Sequence, residues 1–208
     1  MIITIDGYSW LGKSYIGERL SHKLQIDFFS TGKLVRFVAC KFMELEDGIL
    51  TEKAVVEKAL RCVEESEFQD LIGCRYLYDD KTEQALKIVE KYAFVDRRLE
   101  NILKRYTQGK SFILDGRFTF NIFPAAHRKY YFQSTVEKRA ELVAKIKKVS
   151  FEDAVSYIHY RDSFEKEVHI PEDVCVLDPF EKSEGKLIEY LLKDMAEPKR
   201  AWIDDKTW

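Results

Sequence analysis

The chain predicts an α/β fold of three layers, a central parallel sheet with helices on both faces. Three observations carry this. The run IITID at residues 2–6 alternates and is rich in β-branched residues, as a buried strand is. Directly after it stands Gly7-Tyr8-Ser9-Trp10-Leu11-Gly12-Lys13-Ser14, a complete G-x-x-x-x-G-K-[ST] loop, and then SYIGERLSHKL with helical spacing. Further strand-like runs ending in polar residues alternate with helical stretches down the chain.

The loop's chemistry is specific. Successive backbone N–H groups turn inward around a phosphate, Lys13 reaches the β- and γ-phosphates, and the Ser14 hydroxyl is a Mg²⁺ ligand. The first turn of the following helix adds its positive dipole end. Trp10, fourth in the loop, is too bulky to share the cradle with phosphates, so its ring must point away from them or block them.

After this helix, 25–29 reads as a short strand, and Ser30-Thr31-Gly32 as a turn capping the helix KLVRFVACKFMEL. From 44 to 90 the texture shifts to polar helical segments, AVVEKALRCVEES and DKTEQALKIVEKY, around the aromatic stretch CRYLY, as an insertion would. A helix over 94–106 ends at Gln108-Gly109, and SFILDG is a central strand ending at Asp115-Gly116. KYYF at 129–132 is the next strand, and 136–148 a charged helix. Ser150-Phe151-Glu152-Asp153 has the spacing of a capping box for a helix ending near residue 164. VCVLD is the last strand and EGKLIEYLLKDM the last long helix, with an aperiodic tail.

Functional residue types therefore gather at strand C-termini: Asp6-Gly7, Ser30-Thr31-Gly32, Asp115-Gly116-Arg117 and Asp178. In open α/β sheets that edge is where ligands bind.

Composition narrows the class. With 208 residues and 46% hydrophobic content, one domain can bury its own core. The 34 basic and 36 acidic residues give a net charge of −2, so no global field favours nucleic acid or an anionic membrane. Cys40, Cys62, Cys74 and Cys175 form no C-x-x-C pair and read as reduced core thiols of a cytoplasmic protein. A strand starting at the second residue leaves no room for a signal peptide, and no apolar run is long enough for a membrane span. His22, His127, His159 and His169 show no zinc spacing and read as surface or half-buried.

In order and spacing these motifs resemble the cytidylate kinases, a branch of the nucleoside monophosphate kinases, over about residues 2–195. IDG with GKS looks like the family's opening. Ser30-Thr31-Gly32 with Arg36 is similar to its S/T-G-x-x-x-R turn, and LDGR at 114–117 with Phe123-Pro124 to its DGRD and FP pair. EKRA at 137–140 resembles its E-x-R-A helix, SFEDA with Arg161-Asp162 looks like the archaeal type, and VLD at 176–178 its closing V-I-D. Phe118 departs from DGRD, no arginine follows the Arg161-Asp162 pair where expected, and Ile146 stands where archaeal members often show arginine. Trp10 occupies a position where many members of the superfamily carry glycine.

The resemblance implies a P-loop kinase domain spanning 1–208, with a helical monophosphate-binding insertion at 44–90 and a helical lid at 145–165. It implies transfer of phosphate from ATP to CMP or dCMP. Lys13, Asp115, Arg117 and Arg161 are the expected catalytic residues. The loop Gly7, Tyr8, Ser9, Trp10, Leu11, Gly12, Lys13 and Ser14, with Arg139, would take ATP. Ser30, Thr31, Gly32, Arg36, Arg98, Gly116 and Arg117 would take the acceptor, because guanidinium forks pair bidentately with phosphate oxygens. Mg²⁺ would sit on Ser14, its waters ordered by Asp6 or Asp115.

Bland readings stand beside these: surface ion pairing for Arg98, a turn or helix cap for Asp115, and core packing for Tyr76, Tyr78 and Phe118, which could otherwise stack on a base. Partners are small nucleotides in a monomer or small homo-oligomer, without nucleic acid or membrane. Two other classes stay open: a kinase for UMP, dTMP or a metabolite, and an inactive nucleotide-binding homologue. A GTPase switch would need D-x-x-G and N-K-x-D motifs, and neither is found.

Overall fold

The computed structural model describes residues 1–46, 48–66, 80–163 and 168–197. It divides into two compact units, one of Met1–Phe28 with Ser111–Trp208, the other Phe29–Lys110.

Five strands, β1 (Ile2–Gly7), β2 (Asp27–Ser30), β3 (Phe112–Asp115), β4 (Arg128–Phe132) and β5 (Cys175–Leu177), form one sheet in the order β2-β3-β1-β4-β5. The pairs β1–β3, β1–β4 and β4–β5 are parallel, with Ile5 opposite both Asp115 and Tyr130. Such an order needs crossovers, which the intervening helices supply.

Alternation along β1 assigns the faces. Ile3 and Ile5 join Ile113, Tyr130 and Phe132 in a core with Ile16 and Leu20 of α1 (Lys13–Leu24) and Leu187, Ile188 and Leu191 of α9 (Glu184–Ala196). On the opposite face Tyr131 packs with Val174 and with Phe120 of α6 (Thr119–Ile122). The unit also holds α7 (Val136–Lys147) and α8 (Phe151–Asp162), a hairpin closed by Ala140, Val143, Ala154 and Ile158, all fully buried.

Among its described residues the second unit holds four helices: α2 (Thr31–Leu45), α3 (Glu52–Glu65), α4 (Asp80–Val89) and α5 (Ala93–Thr107). Each is amphipathic, and Leu34, Val38, Val56, Leu60, Val89 and Leu103 are among its buried residues. Among the described residues no helix is long and apolar enough to cross a membrane.

Several boundaries differ from the sequence reading. The segment 25–29 starts two residues early, because Gln25 takes a left-handed conformation (φ 54°) and ends α1. Ser30 precedes α2 but makes no side-chain cap hydrogen bond, so Thr31-Gly32 is the first helical turn and not a capping turn. The last strand is shorter than VCVLD, leaving Val174 and Asp178 outside. Ser150 does cap α8, accepting from Asp153 N–H at 3.0 Å. The reciprocal bond is a variant, in which the Ser150 hydroxyl donates to the Asp153 carboxylate at 2.7 Å. The short helix α6 has no counterpart in the sequence reading, and Cys74, Tyr76 and Tyr78 of CRYLY lie outside the described residues. Of the histidines, His127 is half-buried and the other three exposed.

Candidate active site

The loop 7–14 turns tightly at two glycines. At Gly7 (φ +135°) a β-carbon would lie 2.1 Å from the Phe132 carbonyl oxygen of β4, so no other residue fits. Gly12, at φ +72°, turns the chain left-handed into the N-terminus of α1, whose first free amides face the loop.

The cations expected around this loop are present. Lys13 Nζ donates to the Tyr8 carbonyl at 2.5 Å, crossing the loop's own mouth. Arg117 Nη2 donates to Ser9 Oγ at 3.2 Å. Arg139, only 3% exposed, donates from Nη1 to the Ser9 carbonyl at 3.4 Å, and its guanidinium lies 5.3 Å from the Tyr8 ring centroid. Its charge is balanced by a fork to Asp162 at 2.9 and 2.6 Å. Among the described residues its Nε is buried without a hydrogen bond. Arg161, beside Asp162 in the last turn of α8, is half-buried. Lys13, Arg117 and Arg139 thus collar Tyr8 and Ser9, an arrangement suited to anions.

Asp115 and Asp6 part company. Asp115, buried at the end of β3, accepts a hydrogen bond from the Ser14 hydroxyl. Asp6, fully buried, spends both oxygens on α6: Oδ1 accepts from Thr119 N–H at 2.7 Å, and Oδ2 from the Thr119 hydroxyl at 2.7 Å and Phe120 N–H at 3.0 Å. The expectation that Asp6 could order a metal's waters is therefore corrected. Burial pushes its carboxyl up to about 6, against the opposing pull of Thr119, Phe120 and Lys13.

The donor set fits Mg²⁺. Among the described residues no cluster of three His, Cys, Asp or Glu could hold a metal. Mg²⁺ needs none, since it keeps several waters and binds through one or two protein oxygens and the substrate's phosphates. Ser14 and Asp115, joined by a hydrogen bond, are two oxygen donors of that kind beside the loop.

Trp10 adopts φ 64°, a left-handed conformation costly for a bulky residue. Its side chain packs on the hairpin core of α7 and α8 and meets Tyr157 edge-on at 6.1 Å. Lys147 Nζ lies 5.7 Å from the Trp10 ring and 4.8 Å from that of Tyr157. Of the two orientations open to it, the ring takes the one away from the phosphate cradle.

In the second unit, Ser30 precedes α2, with Thr31 and Gly32 in its first turn and Arg36 in its second. Arg36 Nη2 meets Glu83 of α4 at 2.5 Å, and Arg98 of α5 forks onto Glu64 of α3, Nε to Oε1 at 2.6 Å. The Arg98 bond holds the Glu64 carboxyl below its ordinary range. The two guanidinium groups of this unit expected to take phosphate, Arg36 and Arg98, each hold a carboxylate here, an anion of matching fork geometry. Gly116 continues β3, donating its N–H to the Ile5 carbonyl at 3.2 Å, and Phe118 precedes α6 half-buried.

Sequence reasoning missed the roles of Asp162, Thr119, Lys147 and Tyr157. Each acts on a partner far away in the chain, so no local pattern announces it.

The family model described as cytidylate kinase matches residues 3–197. A cytidylate kinase of Caldanaerobacter subterraneus subsp. tengcongensis is 28% identical, covering 90% of this chain and 91% of its own. One of Thermodesulfovibrio yellowstonii is 25% identical, covering 94% and 98%. A solved structure of an uncharacterized protein from Eubacterium ventriosum shares the fold at a TM-score of 0.54 and 11% identity, covering 94% of this chain and 97% of its own. With the loop, the sheet order and a match over nearly its whole length, the chain belongs to the cytidylate kinase family.

Proposed function

We propose that the chain transfers the γ-phosphoryl group of ATP to CMP or dCMP, giving ADP and the nucleoside diphosphate. The observation that carries this is the collar of Lys13, Arg117 and Arg139 on a phosphate loop whose Ser14 is tied to Asp115.

Phosphoryl transfer asks little covalent chemistry of a protein. It asks for two nucleotides in line and for charge opposite the oxygens of the moving group. Lys13, now on the Tyr8 carbonyl, would exchange that oxygen for donor phosphate, and the loop amides would hold the rest. Ser14 and Asp115 would hold Mg²⁺, which when bound neutralises phosphate charge. Arg117 at the loop and Arg161 on the lid would stabilise the transferring group, with Arg139 fixing the Ser9 carbonyl beneath the donor. The unit 29–110 would take the monophosphate through Arg36, Arg98 and the turn 30–32, with Glu83 and Glu64 yielding to the incoming phosphate. The lid segment 145–165, which takes in the end of α7 and all of α8, would exclude water from the transfer. We place the enzyme in the cytoplasm, working alone or as a small homo-oligomer.

The test couples ADP release to a panel of CMP, dCMP, UMP, dTMP, AMP and GMP, with thermal shift on the same ligands. CMP and dCMP should give the fastest turnover and the largest shifts, and Lys13→Ala should abolish transfer with the fold intact. Turnover retained in Lys13→Ala defeats the mechanism; ATP binding with no turnover on any acceptor defeats the kinase reading.

A further inference from the structure

The phosphate loop is held from outside by the α7–α8 hairpin at two adjacent residues. The Ser9 carbonyl accepts from Arg139 of α7, and the Trp10 ring sits on the hairpin's apolar core against Tyr157 of α8. Trp10 also carries the loop's one positive φ that is not at glycine, 64°. A tryptophan does not hold that conformation unaided, because its β-carbon crowds the carbonyl oxygen. What offsets the strain is the ring's packing, with Lys147 against both aromatic faces.

We propose that Trp10 is a positioning residue for the donor triphosphate, acting through the loop backbone. While the hairpin grips the ring, the turn at residue 10 is formed and the amides on either side are aimed before ligand arrives. When the hairpin lifts, the strain at Trp10 is no longer offset and the cradle loosens. A glycine at this position would hold the turn wherever the hairpin stood. The tryptophan thus makes ATP affinity depend on hairpin seating. This rests on the reading of the loop as the donor site.

A double-mutant cycle on ATP affinity, measured by calorimetry without acceptor, tests it. Tyr157→Ala removes the ring's partner but leaves the loop's sequence unchanged, and should weaken ATP binding about fivefold in the otherwise native chain. In a Trp10→Gly chain the same Tyr157→Ala change should have no effect. Tyr157→Leu, which keeps apolar bulk on the hairpin, serves should the alanine variant fail to fold, with the same background dependence expected. Equal loss in both backgrounds, or loss in neither, overturns the proposal. Background-dependent loss without turnover on any monophosphate would defeat the kinase reading and leave the role of Trp10 standing. Turnover with background-independent loss would do the reverse.

Discussion

Asp6 offers a pH test of how this sheet is wired to its loops. The carboxyl is fully buried, accepts three hydrogen bonds from Thr119 and Phe120, and has its pKa pushed by burial from 3.8 to about 6. A folded-state pKa above the unfolded one means that the native protein binds this proton more tightly. Its contribution to stability is then fully present below pH ~4 and is lost as pH rises through about 6. A separation of about two pH units corresponds to about 3 kcal/mol. Other carboxylates run the opposite way: Asp178, for example, is lowered because Lys138, Phe180 N–H and Ser134 outweigh its burial. The comparison therefore has to be against Asp6→Asn, in which those groups are unchanged and only this one no longer titrates. Urea unfolding at intervals from pH 4 to 7.5 should show the stability of the native chain relative to the variant falling by about 2–3 kcal/mol across that window, then levelling. A difference that stays constant with pH would refute the reasoning. It would mean that the three donors and Lys13 offset the burial of Asp6 completely.

Two further substitutions probe the loop's supports. Gly7→Ala should destabilise by about 3 kcal/mol or more, since its β-carbon would lie 2.1 Å from the Phe132 carbonyl at a φ of +135°; chemical denaturation measures it. Asp162→Asn leaves the Arg139 guanidinium buried against a neutral amide and should cost about 3 kcal/mol by the same measurement, with Glu141→Gln on the exposed side of α7 as a near-neutral control.

Legibility in the sequence followed the range of the interaction. The loop 7–14, its strand and its helix were readable because glycine spacing and alternation are local signals, and their chemistry is fixed by covalent neighbours. Ser150 was readable for the same reason, its partner standing three residues away. The helix α6 was not. It is held at its start by a carboxylate 113 residues earlier in the chain, and nothing in Thr119–Ile122 itself demands a helix. Arg139 was found by motif, but its balance by Asp162 across the hairpin was not. The arginines of the second unit fall between. Arg36 and Arg98 were legible as candidates, whereas their pairing with Glu83 and Glu64 depends on helix packing that no window of sequence contains.

The pair Asp6 and Asp115 shows how strand parity and register separate two like residues. Both end central strands, and both were candidates to order a metal's waters. In a strand, side chains alternate faces, and residues paired across a parallel ladder share one. Ile5 is opposite Asp115, and Ile3 opposite Ile113. The face of Ile3 and Ile5 is the one covered by α1, so Asp115 must emerge beneath that helix, where Ser14 stands. Asp6 has the opposite parity and emerges beneath α6. The two carboxylates are chemically equal, and a single step of strand parity assigns one to Ser14 and the other to holding Thr119 and Phe120, just beyond Arg117. A register slip of one residue between β1 and β3 would exchange the faces of the whole strand, burying polar groups in the α1 core, so the assignment is as secure as the sheet's packing.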